Sequence, residues 1–361
     1  MIAIAPTTRQ RLAGPAVAIG AVSVGFALLD ASGQAFWQGL VINLAIFIIL
    51  VVALNLSSGF TGVFSLGHIG FMALGAYTSA ILTLPLHEKA EYLPNLPALL
   101  AGIHLDMWVG PIPVGFLAAT VIAGALVAIV AWPVGRVLMR LSGHFVAVAT
   151  LGFLVIVRVL IFNADSLTRG SRTFSNVTSY TNLWWAGAWA LVAIYVVWRL
   201  KRSPYGREML AQREDRVAAQ SVGIRIMEPR LLAFVIGAFF SAVAGALYAH
   251  FITSFSPTVF YFDLTFRVIT MLVIGGMGSV SGSVIGAAAI MLLAEGLRRI
   301  EDTTLLYGLS QIILAVIFLF IITFRREGLM GQREIALDRL FAPGWRERWR
   351  ERLRWSRPQR R

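Results

Sequence analysis

Side chains able to do covalent or metal chemistry are few in this sequence. Cysteine is absent, which excludes disulfides, thiolate metal sites and cysteine nucleophiles, and the five histidines include no pair at HxxxH spacing. No GxxxxGK[ST] phosphate-binding loop occurs. An intramembrane serine protease would use Ser283 with His250, but serine in a helix of small residues more often serves packing. We therefore predict no catalytic residue, no metal and no cofactor held by this chain.

A polar segment at 201–230 indicates a recognition surface instead. Its core, SPYGREMLAQREDRVAAQSVG (203–223), has Ser203 as an N-cap, Pro204 in the first turn and Gly223 as a stop. The predicted helix is too polar to span a membrane, and the small residues Ala218, Ala219 and Gly223 share one face. The pattern indicates either a helix that docks on a soluble partner or a solvated loop helix.

Two glycine-rich stretches, 55–77 and 275–286, are candidates for breaks in membrane helices. The spacing of the first recurs in the second, as Gly59, Gly62, Ser65 and Gly70 followed by Gly275, Gly278, Ser281 and Gly286. Glycine lets backbones approach and small hydroxyls satisfy broken helix bonds, so paired interruptions indicate a translocation path, with tight packing of small residues as the alternative. The predicted path residues are Asn55, Ser57, Gly59, Thr61, Gly62, Ser65, His68, Gly275, Gly276, Gly278 and Ser281.

Composition identifies the elements that must position these segments. Hydrophobic residues make up 58% of the chain and charged residues 14%, whereas a soluble domain has about a quarter charged residues. A spanning helix needs about 20 mostly apolar residues. We predict an all-α, polytopic integral membrane protein with about ten transmembrane helices and Gly-interrupted segments. The predicted spans lie near 12–29, 36–54, 68–84, 108–132, 145–162, 183–200, 231–252, 265–277, 283–296 and 304–324. The short pair 265–277 and 283–296 also fits one long tilted helix or a re-entrant pair.

Basic residues predict the orientation. The net charge of +13 comes mainly from arginines in the 133–143 and 201–230 loops and the 325–361 tail, as the positive-inside rule expects, which argues against nucleic-acid binding. We place these segments and both termini in the cytoplasm, with an uncleaved first helix, and the 85–107 and 163–182 loops outside. The chain divides into a membrane domain, 1–324, and a basic tail, 325–361. Within the tail, WRERWRERLRW (345–355) predicts an amphipathic helix on anionic lipid, or alternatively a partner-docking helix.

Four segments resemble one known family. They are GFTGVFSLGHIGFMALGAY (59–77), SPYGREMLAQREDRVAAQSVGI (203–224), AFVIGAFFSAVAGALYA (233–249) and IGGMGSVSGSVIGA (274–287). The sequence resembles the LivM-type permeases of branched-chain amino-acid ABC importers. The resemblance implies a non-catalytic permease subunit in a bacterial inner membrane. Its implied partners are a second, paralogous permease, two cytoplasmic ATPase subunits that use ATP-Mg and an extracytoplasmic solute-binding protein.

The resemblance also implies roles for residues. It makes 203–224 the coupling helix, with Arg207, Arg213, Glu214, Asp215, Ala218, Ala219 and Gly223 on the family's pattern. Two features depart from it, because Val217 stands where many members have Glu, and the outer loop LTRGSRTFSN (167–176) is basic. The implied solute is a branched-chain or other small amino acid, or a related small polar solute.

Charged side chains inside predicted spans bear on the energy source. Arg158 lies near the middle of one span, and Asp263 and Arg267, four residues apart, can pair on one helical face. No acidic residue is predicted at mid-membrane depth, which argues against a proton-driven carrier. An ATP-independent secondary transporter or channel is the alternative to the importer.

Overall fold

The computed structural model describes residues 23, 25–105, 107–109, 112–141, 143–304, 308–325 and 327–334. Its contacts divide the chain into two compact units, Gly39–Arg333 and the terminal segments Met1–Gln38 with Glu334–Arg361. Described residues of the terminal unit include a helical stretch at 25–31. The predicted tail helix at 345–355 and most of the predicted span at 12–29 lie outside the described residues.

The described chain is predominantly helical. Its helices are α1 (Ala35–Leu54), α2 (His68–Thr83), α3 (Leu86–Tyr92), α4 (Ala98–Ala101), α5 (Val114–Leu138), α6 (His144–Asn163), α7 (Asp165–Thr168), α8 (Leu183–Lys201), α9 (Pro204–Glu214), α10 (Arg216–Ser221), α11 (Met227–Ile252), α12 (Phe262–Gly275), α13 (Val280–Thr304) and α14 (Leu309–Phe324). A small antiparallel hairpin pairs β1 (Trp108–Val109) with β2 (Ile112–Pro113).

Within the described residues, seven helices are long and apolar enough to cross a membrane, with α12 counted together with the short turn before it as Pro257–Gly275. The number is eight if the bent pair α2 and α3 forms one span. The chain is therefore a polytopic helical membrane protein, as predicted. The predicted count of about ten is not confirmed, because the first span is mostly undescribed and the apolar part of α14, Leu309–Ile321, is shorter than the seven.

Several helices begin or end away from their predicted bounds. α1 continues through a π-helical turn, Asn55–Phe60, so only 61–67 separates it from α2. α5 runs through Pro133, which a membrane helix tolerates when its surroundings satisfy the freed carbonyl. Most of the predicted 133–143 loop is consequently helical. The short segments near 265–277 and 283–296 are the separate helices α12 and α13.

The core is centred on α11, which packs against α2 and α5. A Cβ added to Gly75 would overlap the backbone of Ala242, and one added to Gly245 would overlap the carbonyl of Met72. These glycines let the backbones of α2 and α11 touch, which is how membrane helices gain packing contacts without a hydrophobic driving force. Outside this core, α5, α6 and α14 expose large apolar side chains, including Ile129, Val137, Phe145, Val148, Leu319 and Phe324.

Candidate coupling site at the paired helix breaks

The two glycine-rich breaks lie against each other, and Asn55 joins them. Its buried side chain donates from Nδ2 to the carbonyl oxygen of Ser279 at 2.9 Å and to Ser283 Oγ at 2.8 Å. Its Oδ1 accepts the backbone N–H of Gly278 at 2.8 Å. One amide therefore satisfies the N–H of Gly278 and adds a bond to the carbonyl of Ser279, which also accepts the N–H of Ser283 at 3.0 Å.

Glycine is required where the breaks touch. A Cβ added to Gly59 would lie 2.7 Å from the backbone nitrogen of Gly278. Gly62 and Gly278 adopt left-handed φ angles of 70° and 94°, and Gly276 has a φ of 112°. Gly62 and Gly278 hold corresponding places in the repeated sequence pattern, so the correspondence extends to backbone conformation.

The hydroxyls of the first break satisfy its own backbone and His68. Ser57 Oγ lies 3.1 Å from His68 Nε2, and Ser65 Oγ lies 3.1 Å from His68 Nδ1. Thr61 Oγ1 donates to the carbonyl of Ser57 at 2.5 Å. All four side chains are buried within this chain, whereas Ser281 at the second break is half-buried. Tight polar packing is thus observed here, and a role in lining a path remains a prediction.

Two cations from the polar segment bind the carbonyls of both breaks. Arg213 Nη1 donates to the carbonyl of Gly59 at 2.5 Å and to that of Met277 at 3.4 Å. Lys201 Nζ donates to the carbonyl of Gly278 at 2.6 Å. The side chain of Arg213 also covers Gly62, where an added Cβ would lie 3.1 Å from Cγ. The predicted coupling segment and the predicted path residues are therefore in direct contact.

The coupling segment is two helices rather than the single helix predicted. Ser203 Oγ accepts the N–H of Gly206 at 3.3 Å, as an N-cap should, and Gly223 ends the segment with a φ of 88°. The interruption falls at Asp215, whose Oδ1 accepts the N–H groups of Val217 at 2.8 Å and Ala218 at 3.0 Å. Asp215 thereby caps α10, which gives a structural reason for an aspartate at this position of the family's pattern.

The predicted small-residue face of α10 is divided between the surface and the interior. Ala218 and Gly223 are exposed, together with Val217 and Val222, each 76% exposed. Ala219 is only 4% exposed. Arg207 and Glu214 are exposed as well. The small and apolar residues of this segment that a partner can contact are therefore Val217, Ala218, Val222 and Gly223.

The two residues of the serine protease alternative, Ser283 and His250, form hydrogen bonds to other groups and not to each other. Ser283 Oγ accepts from Asn55 and donates to the carbonyl of Ser279 at 3.1 Å. His250 Nδ1 donates to the carbonyl of Ala246 at 2.8 Å, so its Nε2 accepts from Thr83 Oγ1, also at 2.8 Å. Each side chain is occupied by different partners.

The charged residues noted outside the breaks have local roles. Asp263 and Arg267 form the predicted pair at 3.7 Å. The guanidinium of Arg158, in the C-terminal half of α6, lies 3.8 Å from the ring centroid of Tyr261. In the basic loop 167–176, Arg169 donates to the carbonyl of Thr173 at 3.0 Å and so helps to fold the loop on itself.

A contact that the sequence did not indicate covers the second break. Residues 327–333, named here the C-terminal strap, follow α14 and return to the end of α12. The N–H groups of Leu329 and Met330 donate to the carbonyls of Ile274 at 2.8 Å and Gly275 at 3.1 Å. Ser279 Oγ donates to the carbonyl of Arg333 at 2.7 Å. Nothing in its composition, apart from two glycines, marks this segment as structural.

Comparison with known proteins decides the family. A family model described as the permease component of the branched-chain amino acid transport system matches residues 37–322. The chain belongs to this family. As a branched-chain amino acid transport permease component, it is the permease subunit of an ABC importer, and the family's members are transport subunits rather than enzymes.

Relatives of this permease component include proteins named LivM and proteins named LivH. The high-affinity branched-chain amino acid transport system permease protein LivM of Escherichia coli (strain K12) is 28% identical over 319 residues, covering 79% of this chain and 68% of the relative. The protein LivH of Salmonella typhimurium, from a system of the same description, is 24% identical over 307 residues, covering 80% and 92%. No solved structure matches the chain significantly.

Proposed function

We propose that this permease forms one half of a gated pore for a branched-chain or other small amino acid, or a related small polar solute, driven by separate ATPase subunits. The observation that carries the proposal is the set of bonds from Arg213 and Lys201 to the carbonyls of both helix breaks. The relatives' names support the solute class.

The bonds give a route from the polar segment to the pore. A partner pressing on α10 displaces α9 and with it the guanidinium of Arg213. Since this group is bonded to Gly59 and Met277, the two breaks must move with it or lose a charge-assisted hydrogen bond. The breaks bend more easily than continuous helix, because helical hydrogen bonds are missing there. Closure of the ATPase dimer would then shift the breaks together.

The proposed partners follow from the exposed surfaces and the relatives. Two cytoplasmic ATPase subunits, which supply ATP-Mg, receive the face of Val217, Ala218, Val222 and Gly223. A second permease completes the pore. It is a paralogue, a proposal supported by the match of this chain to both LivM-named and LivH-named relatives. An extracytoplasmic binding protein delivers the solute at the outer loops. The proposed location is the bacterial inner membrane, with 201–230 and both termini cytoplasmic.

The decisive experiment compares ATP hydrolysis with uptake in the reconstituted importer. Arg213→Gln removes the guanidinium but keeps a polar side chain, and we expect uptake per ATP to fall about tenfold, in line with the loss of a charge-assisted bond. Arg225→Gln is the matched control, because Arg225 is exposed and, in the part of the chain that the structure describes, its ion pair is the local one with Glu228 at 2.8 Å. Equal coupling ratios in the two variants would contradict the proposed route.

The same preparation tests the energy source. A mild-detergent pull-down of the tagged chain should recover two P-loop ATPases and a second permease. Uptake should stop on ATP depletion and continue with a protonophore at constant ATP. Recovery of the chain alone across several detergents, with uptake that persists without ATP, would instead support a secondary transporter or channel.

A further inference from the structure

A cavity of about 440 Å³ lies between the coupling segment, the first break and α11. Its walls include Gly62 of the break, residues 212–217 of the coupling segment, and Arg230 in the first turn of α11. The volume falls within the range of small-molecule sites. Two of its wall residues, Arg213 and Val217, also belong to the proposed coupling route, but that route places no ligand in the cavity.

Two buried polar side chains line this cavity without partners. Arg230 is 5% exposed and Gln212 is 1% exposed. Arg230 Nε and both amide atoms of Gln212 have no hydrogen-bond partner among the described residues. Arg230 also forms no ion pair with an acid in that part of the chain. A buried guanidinium without a counter-charge is costly, and so is a buried amide with its donors and acceptor unused.

Other charges around the cavity limit what it can hold. Arg216 adds a second cation, and Arg213 is bonded to break carbonyls. Asp215 uses one carboxylate oxygen to cap α10, while Glu214 is exposed at the rim. Arg230 and Arg216 attract a single negative charge, and the two acids disfavour a multiply charged anion. A planar carboxylate matches the guanidinium fork, and the amide of Gln212 can donate to the same group.

We propose that this cavity binds a small monocarboxylate through Arg230 and Gln212. An amino acid is one such ligand, since its ammonium group can use Gln212 Oε1 or Glu214. The occupant touches the break, the coupling segment and α11 at once, so it holds these three elements together. The site needs no ATPase, and it therefore stands or falls separately from the proposed function.

Binding is tested with the full-length chain in phosphatidylcholine nanodiscs, without nucleotide. Acetate and L-alanine are the probes, and inorganic phosphate and added phosphatidylglycerol are the comparators. We expect each carboxylate to raise the unfolding temperature, and the dissociation constant of radiolabelled L-alanine to rise at least tenfold in Arg230→Gln. Arg225→Gln is the control and should bind like the unmodified chain.

Gln212→Leu is a second variant that tests the proposal even if Arg230→Gln does not fold. Removing an unpaired buried amide should raise the unfolding temperature of the ligand-free chain and at the same time weaken carboxylate binding. Unchanged L-alanine affinity in both variants would overturn the proposal. Stabilisation by phosphate or by phosphatidylglycerol, with none from acetate or L-alanine, would overturn it as well and assign the cavity to phosphate groups.

Discussion

At the scale of single residues, Asn55 is the group on which the paired breaks most depend. Asn55→Leu leaves the buried N–H of Gly278 without a partner, whereas the carbonyl of Ser279 keeps its bonds from Ser283. We expect a loss of about 1–3 kcal/mol of stability for the N–H left unsatisfied, measured by thermal unfolding in detergent. Asn163→Leu is the matched control. Its amide is exposed and bonds only within α6, so a change within about 0.5 kcal/mol is expected.

The sequence indicated Asn55 but not its role. Asn55 was predicted to line a path because it precedes a run of glycine and hydroxyl residues. Its partner Ser279 is 224 residues away, and local patterns carry no information on contacts at that separation. Arg213 was likewise placed on the coupling segment from its motif. Its bond to Gly59 spans 154 residues and required the fold to be seen.

At the scale of elements, the contact between α2 and α11 predicts that replacing a glycine in it lowers stability. Gly245→Ala places a methyl group against the carbonyl of Met72, and overpacking of this kind costs about 1–3 kcal/mol. Gly152→Ala, in α6, meets nothing within 4 Å and should be neutral or stabilising by up to about 1 kcal/mol. Unfolding midpoints measure both changes. Equal midpoints would show that the two helices are not in backbone contact.

Substitutions of Ala218 and Ala219 in α10 distinguish an effect on docking from an effect on folding. Ala218 is exposed, so Ala218→Trp should leave the unfolding temperature nearly unchanged while it blocks the proposed ATPase surface and lowers uptake per ATP. Ala219 is buried, so Ala219→Trp should lower the unfolding temperature. Measuring both quantities in both variants checks the assignment. Reversed behaviour of the pair would place the docking face on the opposite side of α10.

Helix existence was predicted well from apolar runs, whereas the helix boundaries near Pro133 and Asp215 were not. Apolar length identified α5, α6, α8 and α11, because a span needs a minimum of apolar residues whatever its neighbours are. The sequence predicts that a span ends before Pro133, although the surrounding helices decide whether a proline ends a membrane helix. The break at Asp215 was also missed, since aspartate in a polar run marks a cap only when the backbone already turns there.

At the scale of the whole molecule, the proposed orientation predicts which exposed positions face each side of the membrane. The chain has no cysteine, so each introduced cysteine reports alone. Glu91→Cys, in the predicted outer loop, should react with a membrane-impermeant maleimide in intact cells. Gln220→Cys, in α10, should react only after permeabilisation. Both positions are exposed, which makes them a matched pair. Labelling of Gln220→Cys in intact cells would invert the proposed topology.

The C-terminal strap has a consequence for biosynthesis. The carbonyls of Ile274 and Gly275 receive their partners from Leu329 and Met330, which the ribosome adds more than fifty residues later. The end of α12 is therefore completed only after α14 has been made. A chain stopped after Glu334 keeps these bonds, whereas one stopped after Arg325 lacks them. We expect the shorter product to be degraded faster in a pulse-chase experiment, so quality control at the membrane would sense whether translation reached the strap.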